Sequence, residues 1–405
     1  MSLNQTPSSE RIHIALFGRR NVGKSSVINA ITSQQLSIVS EFEGTTTDPV
    51  YKSMELLPIG PVVLIDTAGL DDEGSLGTLR IQKTYQVLNK TDVAVLIVDS
   101  TKGLTELDHK LMERFRSKEL PFVIAFNKAD LCEPPIPYDI SEHCIGISAK
   151  SGLNIRQLKE MIAAQAKPVI KNHSIVADLL EPSDLVVLVI PIDSAAPKGR
   201  LILPQQQTIR DILEADAVSV VVKETQLKST LQKLGQKPKL VITDSQAFEK
   251  VAADTPQDIL LTSFSILFAR YKGNLEAAVQ GARVLDTLVN GDHILISEGC
   301  THHRQCEDIG TVKLPNWIRQ YTGKDFHFDF TSGTEFPEDV SEYQLIIHCG
   351  GCMINEREMK QRLSIAADSH VPMTNYGTAI AYMHGILKRS VEAFPQIASL
   401  LPESS

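Results

Sequence analysis

The apolar positions of this 405-residue chain fall into short unbroken runs set between stretches of helical period. Ile12 to Gly18 (IHIALFG) has the length and composition of a strand, and SVINAI, from Ser26, has the spacing of a helix. A further apolar run leads into VVLIDTAGL, with Asp66 at its end, and AFNKAD (Ala125 to Asp130) closes another strand. After LKEMIAAQAKPVIKNHS the pattern changes. Residues 185–192, 217–222, 239–244 and 258–263 read as buried strands, and residues 206–215, 225–235 and 245–252 between them read as helices. Continuous apolar strands alternating with helices predict a small parallel sheet covered on both faces. The last third repeats this pattern. It predicts a helix over 274–288, strands over 293–299 and 343–348, a helix over 356–368, a strand over 371–375 and a helix over 376–387.

The first strand–helix junction carries chemistry. GRRNVGKSS is G-x-x-x-x-G-K-S between a strand and a helix, the context a phosphate-binding loop requires. Gly18 and Gly23 let backbone N–H groups turn inward around phosphates. Lys24 supplies charge to the outer phosphates, the Ser25 hydroxyl can ligand magnesium, and Ser26 follows in the same turn. Asp66 would stand beside the magnesium, and Gly69 offers a backbone N–H to the last phosphate. In NKxD, Asn127 and Lys128 precede Asp130, whose carboxylate can accept both the ring N–H and the exocyclic amine of guanine. Ser148, Ala149 and Lys150 of GISAK supply a further base-facing loop. EGTTTDP (Glu43 to Pro49) supplies threonines for the magnesium, and Thr46 is the choice. Five elements in this order make a guanine-nucleotide hydrolase. The residue after DTAG is Leu70, so the usual water-orienting glutamine is missing there.

Composition narrows the setting. The chain is 42% hydrophobic and 22% charged, as in soluble globular proteins, and too long for one ordinary core. A net charge of -9 argues against a broad nucleic-acid surface. No signal peptide is visible at the start, and runs such as VVLVIPI are too short to span a bilayer. These features predict a cytoplasmic protein with neither a membrane nor a nucleic-acid partner. Six cysteines in such a chain are no disulfide framework; grouped cysteines in a reducing compartment point to metal or redox chemistry.

Two groups stand out. Cys300 follows the strand over 293–299, and HCGGC (His348 to Cys352) ends the strand over 343–348. In open parallel sheets ligands collect at the carboxyl ends of strands. The candidate donors are Cys300, Cys349 and Cys352, with His302, His303, Cys306, Glu307, Asp308 and His348 nearby. Three thiolates with one histidine suit structural zinc. Three thiolates with a weaker ligand suit an iron–sulfur cluster with one exchangeable iron. A metal-free redox pair is the third reading, and two unrelated cysteine pairs the plainest. Cys132 and Cys144 are most simply small packing residues.

The GRxNVGKSS, GTTTD and DTAGL set resembles the TrmE/Era group of GTPases, and in that group an asparagine at the position of Asn21 binds a potassium ion beside the phosphates. A TrmE/Era-like G domain, a middle α/β domain and a C-terminal C-x-H…H-C-x-x-C pattern on Cys300, His302, His348, Cys349 and Cys352 together resemble the FeFe-hydrogenase maturation GTPases, the HydF family. The resemblance covers essentially the whole chain. It implies an α/β fold: a P-loop GTPase domain followed by two smaller α/β domains with mainly parallel sheets. The expected domains are a G domain over 8–170, a dimerisation domain over 178–266 and a cluster-binding domain over 267–400. Also implied are a potassium-stimulated GTPase using GTP and Mg2+, and a 4Fe–4S cluster on Cys300, Cys349 and Cys352, with His302 or Glu307 as candidate fourth ligand. Such a protein receives a two-iron precursor from two radical-SAM enzymes and passes it to the hydrogenase apoprotein, as a dimer. The rival reading is a TrmE/Era-like RNA-associated GTPase with a structural zinc site.

Overall fold

The computed structural model describes residues 6–32, 49–69, 75–166, 174–192, 201–299, 308–333 and 335–402. It divides into two compact units, residues 1–172 and 173–405.

The first unit is built on strands β1 (Ile12–Phe17), β2 (Val50–Leu56), β3 (Gly60–Asp66), β4 (Val93–Asp99), β5 (Phe122–Asn127) and β6 (Cys144–Gly146). They form one sheet in the order β2-β3-β1-β4-β5-β6. All neighbours are parallel except β2 and β3. Helices α1 (Lys24–Thr32), α2 (Ser75–Lys90), α3 (Glu106–Ser117) and α4 (Ile155–Ala166) complete it. Successive strand residues point to opposite faces. Ile14, Leu16 and Val95 meet Ile28 of α1 and Leu158 of α4 on one face. Ala15, Phe17 and Leu96 meet Leu111 and Phe115 of α3 on the other. All seven residues of β4 are buried. Each such apolar side chain contributes about 1.5–3 kcal/mol by leaving water. That anchors the strand ends from which the loops project.

The second unit holds two sheets. The first has β7 (Leu185–Val189), β8 (Val218–Val222), β9 (Leu240–Thr243) and β10 (Leu260–Ser263), with helices α5 (Leu203–Glu214), α6 (Leu227–Lys233), α7 (Phe248–Asp254) and α8 (Phe264–Tyr271). After α9 (Leu275–Arg283), the other has β11 (His293–Glu298), β12 (His327–Ser332), β13 (Leu345–His348) and β14 (Met373–Asn375). Its helices are α10 (Leu314–Thr322), α11 (Glu356–Asp368), α12 (Tyr376–Met383), α13 (Leu387–Ser390) and α14 (Pro395–Ala398). The orders are β10-β9-β7-β8 and β12-β11-β13-β14. Both sheets are parallel throughout, and both follow one topology. The first strand of each lies inside, the second on one side of it, the third and fourth on the other. Winding reverses between β7 and β9, and again between β11 and β13. The chain then returns to the first of these sheets: Leu387, Val391, Phe394 and Leu401 pack into the core formed by Val187, Ile242 and Phe268. Arg389 holds this segment by donating to the carbonyls of Ala252 (2.7 Å) and Thr255 (2.7 Å).

Some elements differ from the sequence reading. The helix expected over 274–288 is α9, followed by a 3-10 turn at Val284–Asp286. The helix expected over 376–387 ends at Met383, because Gly385 takes a left-handed conformation (φ 69) that stops it. The edge strand β12 (HFDFTS) escaped notice because it is partly exposed and carries polar residues on both faces. Among the described residues no helix is long and apolar enough to cross a membrane.

Candidate functional site

The loop from Gly18 to Gly23 leaves β1 and enters α1, so the N-terminal N–H groups of α1 face the loop's interior. Glycine is required at both ends. A Cβ on Gly18 (φ +140) would stand 2.4 Å from the Ile97 carbonyl oxygen, and one on Gly23 (φ +94) 2.4 Å from Asn127 Nδ2. Asn21 lies at the exposed turn of the loop with φ 57, a conformation asparagine tolerates. The Lys24 ammonium is buried and donates to the carbonyls of Gly18 (2.9 Å) and Arg19 (2.8 Å). Ser25 Oγ donates to Asp66 Oδ2 at 2.6 Å. Burial raises the Asp66 carboxyl above its ordinary range, against the opposing pull of Ser25 and Lys24. One hydroxyl and one carboxylate oxygen on the same spot are the hard donors that magnesium selects. Gly69 packs on the phosphate loop: a Cβ there would meet Arg20 Cγ at 2.3 Å.

The NKxD and GISAK loops are tied together by Asn127. Its Nδ2 donates to the Val22 carbonyl (2.9 Å), and its Oδ1 accepts from Ala149 N (3.0 Å). One amide therefore links the phosphate loop to the GISAK loop. Lys128 (φ 66) pairs with Asp99 Oδ2 at 2.6 Å. Burial works against the Asp99 charge, yet the hydrogen bonds of Lys128 and Thr101 hold its carboxyl below the usual range. Ser148 is buried, and its Oγ accepts from Ser151 N (3.1 Å). Asp130 and Lys150 are exposed at the rim and Ser26 is half-buried in α1. Thr46 and Leu70 lie outside the described residues.

The cysteine site lies at the reversal between β11 and β13, beyond the carboxyl ends of the strands, where open parallel sheets collect ligands. Ser297 pairs with His348, and Cys349 N donates to the Ser297 carbonyl at 2.9 Å. The Cys349 sulfur then accepts from Gly299 N (3.0 Å) and Gly351 N (3.4 Å). Gly299 immediately precedes Cys300 in sequence, and it is the end of β11 at Gly299 that lies against the Cys349 sulfur. Gly351 supplies the left-handed turn (φ 62) that returns the chain to Cys352. Burial raises the thiol pKa of both cysteines. The N–H groups of Gly299 and Gly351 oppose this at Cys349, and Lys272 opposes it at Cys352. Cys300, His302, His303, Cys306 and Glu307 lie outside the described residues. Among the described residues no three His, Cys, Asp or Glu side chains form a metal-binding group.

His348 is engaged at both ring nitrogens within the protein. Its Nε2 lies 2.9 Å from Arg362 Nη1, which can only donate, and its Nδ1 lies 2.7 Å from the Cys349 carbonyl. Those partners define a neutral ring with the proton on Nδ1. Burial, then the Arg362 charge, push its pKa down to about 3. Arg362 also donates to Glu358 Oε1 (2.6 Å) and the Gly333 carbonyl (2.6 Å). Sequence reasoning missed Arg362, Glu298, Tyr376 and Lys272. Glu358 and Arg362 show only as an i,i+4 pair on a helix, and Lys272 as one basic residue in a turn. Tyr376 Oη donates to Glu298 Oε1 (3.3 Å) beside Cys349, and burial raises its pKa.

The fold and the phosphate-loop geometry define a P-loop GTPase domain followed by further α/β domains with parallel sheets. Comparison with known families agrees. A 50S ribosome-binding GTPase model matches residues 13–128. The hydrogen maturase F dimerization domain matches residues 175–273, and the hydrogen maturase F tetramerization domain matches residues 276–393. The two maturase models together span more than half of the chain, and the chain belongs to the hydrogen maturase F family. The G domain is similar to that of tRNA modification GTPase MnmE. The Bordetella petrii protein is 32% identical over 158 residues, covering 39% of this chain and 34% of that protein. The Nitrosomonas eutropha protein is 37% identical over 156 residues, covering 38% and 34%. The chain thus spans about a third of the length of these curated relatives (34%). The solved FeoB G-domain from Methanococcus jannaschii is 25% identical with a TM-score of 0.30, over 39% of this chain and 99% of that one.

Proposed function

We propose that the chain is a GTP-hydrolysing scaffold of hydrogenase maturation. It holds a 4Fe–4S cluster and a two-iron precursor and delivers the precursor to the FeFe-hydrogenase apoprotein. The observation that carries this reading is the placing of Cys349 against Gly299, next to Cys300, at a sheet reversal within the maturase domains. Two thiols on the turn that follows β13, with backbone N–H groups aimed at one sulfur, suit a thiolate-held metal group. Cys300 would supply the third thiolate, and His302 or Glu307 the displaceable fourth donor. When bound, the cluster would offer an exchangeable iron to incoming cargo. The cargo would come from two radical-SAM maturation enzymes. We place the protein in the cytoplasm, as a homodimer, with neither membrane nor nucleic acid as partner.

In the G domain the Lys24 ammonium would leave the Gly18 and Arg19 carbonyls for the outer phosphates of GTP. Ser25 and Thr46 would hold Mg2+, with Asp66 beside it. The Gly69 N–H would meet the third phosphate. Asp130 would read guanine, and Asn127, Lys128, Ser148, Ala149 and Lys150 would shape the base pocket. Water attacks the γ-phosphorus, the bond to the bridging oxygen of the β-phosphate breaks, and GDP and phosphate leave. With Leu70 after DTAG, water is poorly oriented and turnover is slow. Potassium at Asn21 would supply positive charge beside the transferred group. Hydrolysis at such a rate serves timing or partner release.

The test is anaerobic purification with metal analysis, an absorption spectrum and reduced-state EPR. Iron and sulfide at cluster stoichiometry, lost in Cys349→Ala, support the scaffold. Zinc without a chromophore overturns it and favours the RNA-associated alternative. A protein that takes up no metal even on reconstitution is a thiol switch.

A further inference from the structure

Lys272 is 3% exposed, and nothing in the GTPase chemistry uses it. It follows α8, whose Ile266, Leu267, Phe268 and Ala269 are packed in the core of the β7–β10 sheet. The dimerization-domain match ends at residue 273, so this lysine belongs to that domain. Yet its ammonium crosses to the other sheet. It donates to the Gly351 carbonyl at 2.6 Å and to the Ile354 carbonyl. Those two carbonyls bracket Cys352. The turn depends on its glycine: Gly351 holds φ +62, where a side chain would be strained. Two carbonyls could be satisfied by a neutral donor. A buried ammonium costs far more to desolvate than an amide, and this one is held by the two carbonyls on either side of Cys352.

We propose that Lys272 is a positioning residue for the cysteine site, through which the dimerisation domain sets the geometry and the charge of the turn carrying Cys352. It clamps the turn through two carbonyls. It also provides a fixed positive charge beside a thiolate-held, net-anionic metal group. The charge half of this inference rests on the metal reading above; the clamp does not.

Two variants separate the halves. Lys272→Gln keeps N–H donors and removes the charge, and Lys272→Met removes both. Amide hydrogen exchange on metal-free protein reads the clamp. In Lys272→Met, amides of residues 349–355 should exchange about tenfold faster or more, with β7–β10 unchanged. Lys272→Gln should stay closer to the wild type. A dithionite-poised EPR titration of reconstituted protein reads the charge, which a purely structural lysine would not move. Both variants should reduce at more negative potential, with about tenfold less reduced cluster at the wild-type midpoint. Wild-type exchange in Lys272→Met overturns the clamp. A wild-type midpoint in Lys272→Gln overturns the charge. A wild-type protein that takes up no iron and sulfide overturns the metal reading, and the exchange measurement still decides the clamp. Should Lys272→Met fail to fold, Lys272→Leu, which likewise removes donor and charge, takes its place in the exchange measurement, and wild-type exchange there overturns the clamp.

Discussion

Single side chains decide what this protein recognises. Asp130 is exposed at the rim of the nucleotide site, free to meet the guanine edge. Asp130→Asn presents an amide there, and xanthine nucleotides should replace guanine nucleotides as preferred substrates by an order of magnitude or more. Competition binding with XTP and GTP checks this; unchanged GTP preference overturns the assignment. Gly23 has no room for a side chain because Asn127 Nδ2 holds the space. Gly23→Ala should cost about 1–3 kcal/mol at the loop and weaken GTP binding about tenfold or more, read by calorimetry. His348 is engaged at both nitrogens by Arg362 and the Cys349 carbonyl. His348→Gln should therefore leave iron retention against a chelator unchanged. Arg362→Met, which strands Glu358, should lower stability by about 3–5 kcal/mol, seen as a lower denaturation midpoint. Of these partners the sequence shows only the i,i+4 spacing of Glu358 and Arg362, because pairings such as Arg362 with Gly333 join segments far apart in the chain.

At the scale of elements, β8 is an all but wholly apolar strand that is not buried. It reads VSVVV, as apolar as its neighbours, and sits at the edge of its sheet, with Val218 49% and Val221 46% exposed. An apolar edge strand left open is a template for pairing with another chain, and the dimerization-domain match covers it. Val221→Lys should convert dimer to monomer, halving the mass seen by light scattering while the circular dichroism holds. An unchanged mass would move the contact elsewhere. The sequence predicted strands at this position and at β7, β9 and β10 equally well. It could not rank them, since which strand ends a sheet depends on the order in which strands pair.

Across the whole molecule the two ends of the chain carry separate chemistries, a nucleotide site in the first unit and a thiol site in the second. Replacing potassium by sodium should slow GTP turnover about tenfold or more, and Asn21→Ala should erase the difference between the two ions. Steady-state phosphate release in each salt checks this; equal rates in the wild type remove the potassium assignment.

Local chemistry was readable in advance wherever one short segment holds all of it. The phosphate loop, DTAG, NKxD and GISAK each propose a role from the sequence, because phosphate and guanine are read by backbone and side chains within a few residues. The alternation of apolar strands and helices likewise declared parallel α/β sheets. Tertiary structure alone decided the rest. It set β11 beside β13, which brings the end of β11 at Gly299 against the Cys349 sulfur. It turned His348 away into an arginine pair. It carried Lys272 from one sheet to the cysteine turn of the next. Those outcomes depend on strand order and on burial of charge, which are properties of the packed chain and leave no periodic mark on the sequence.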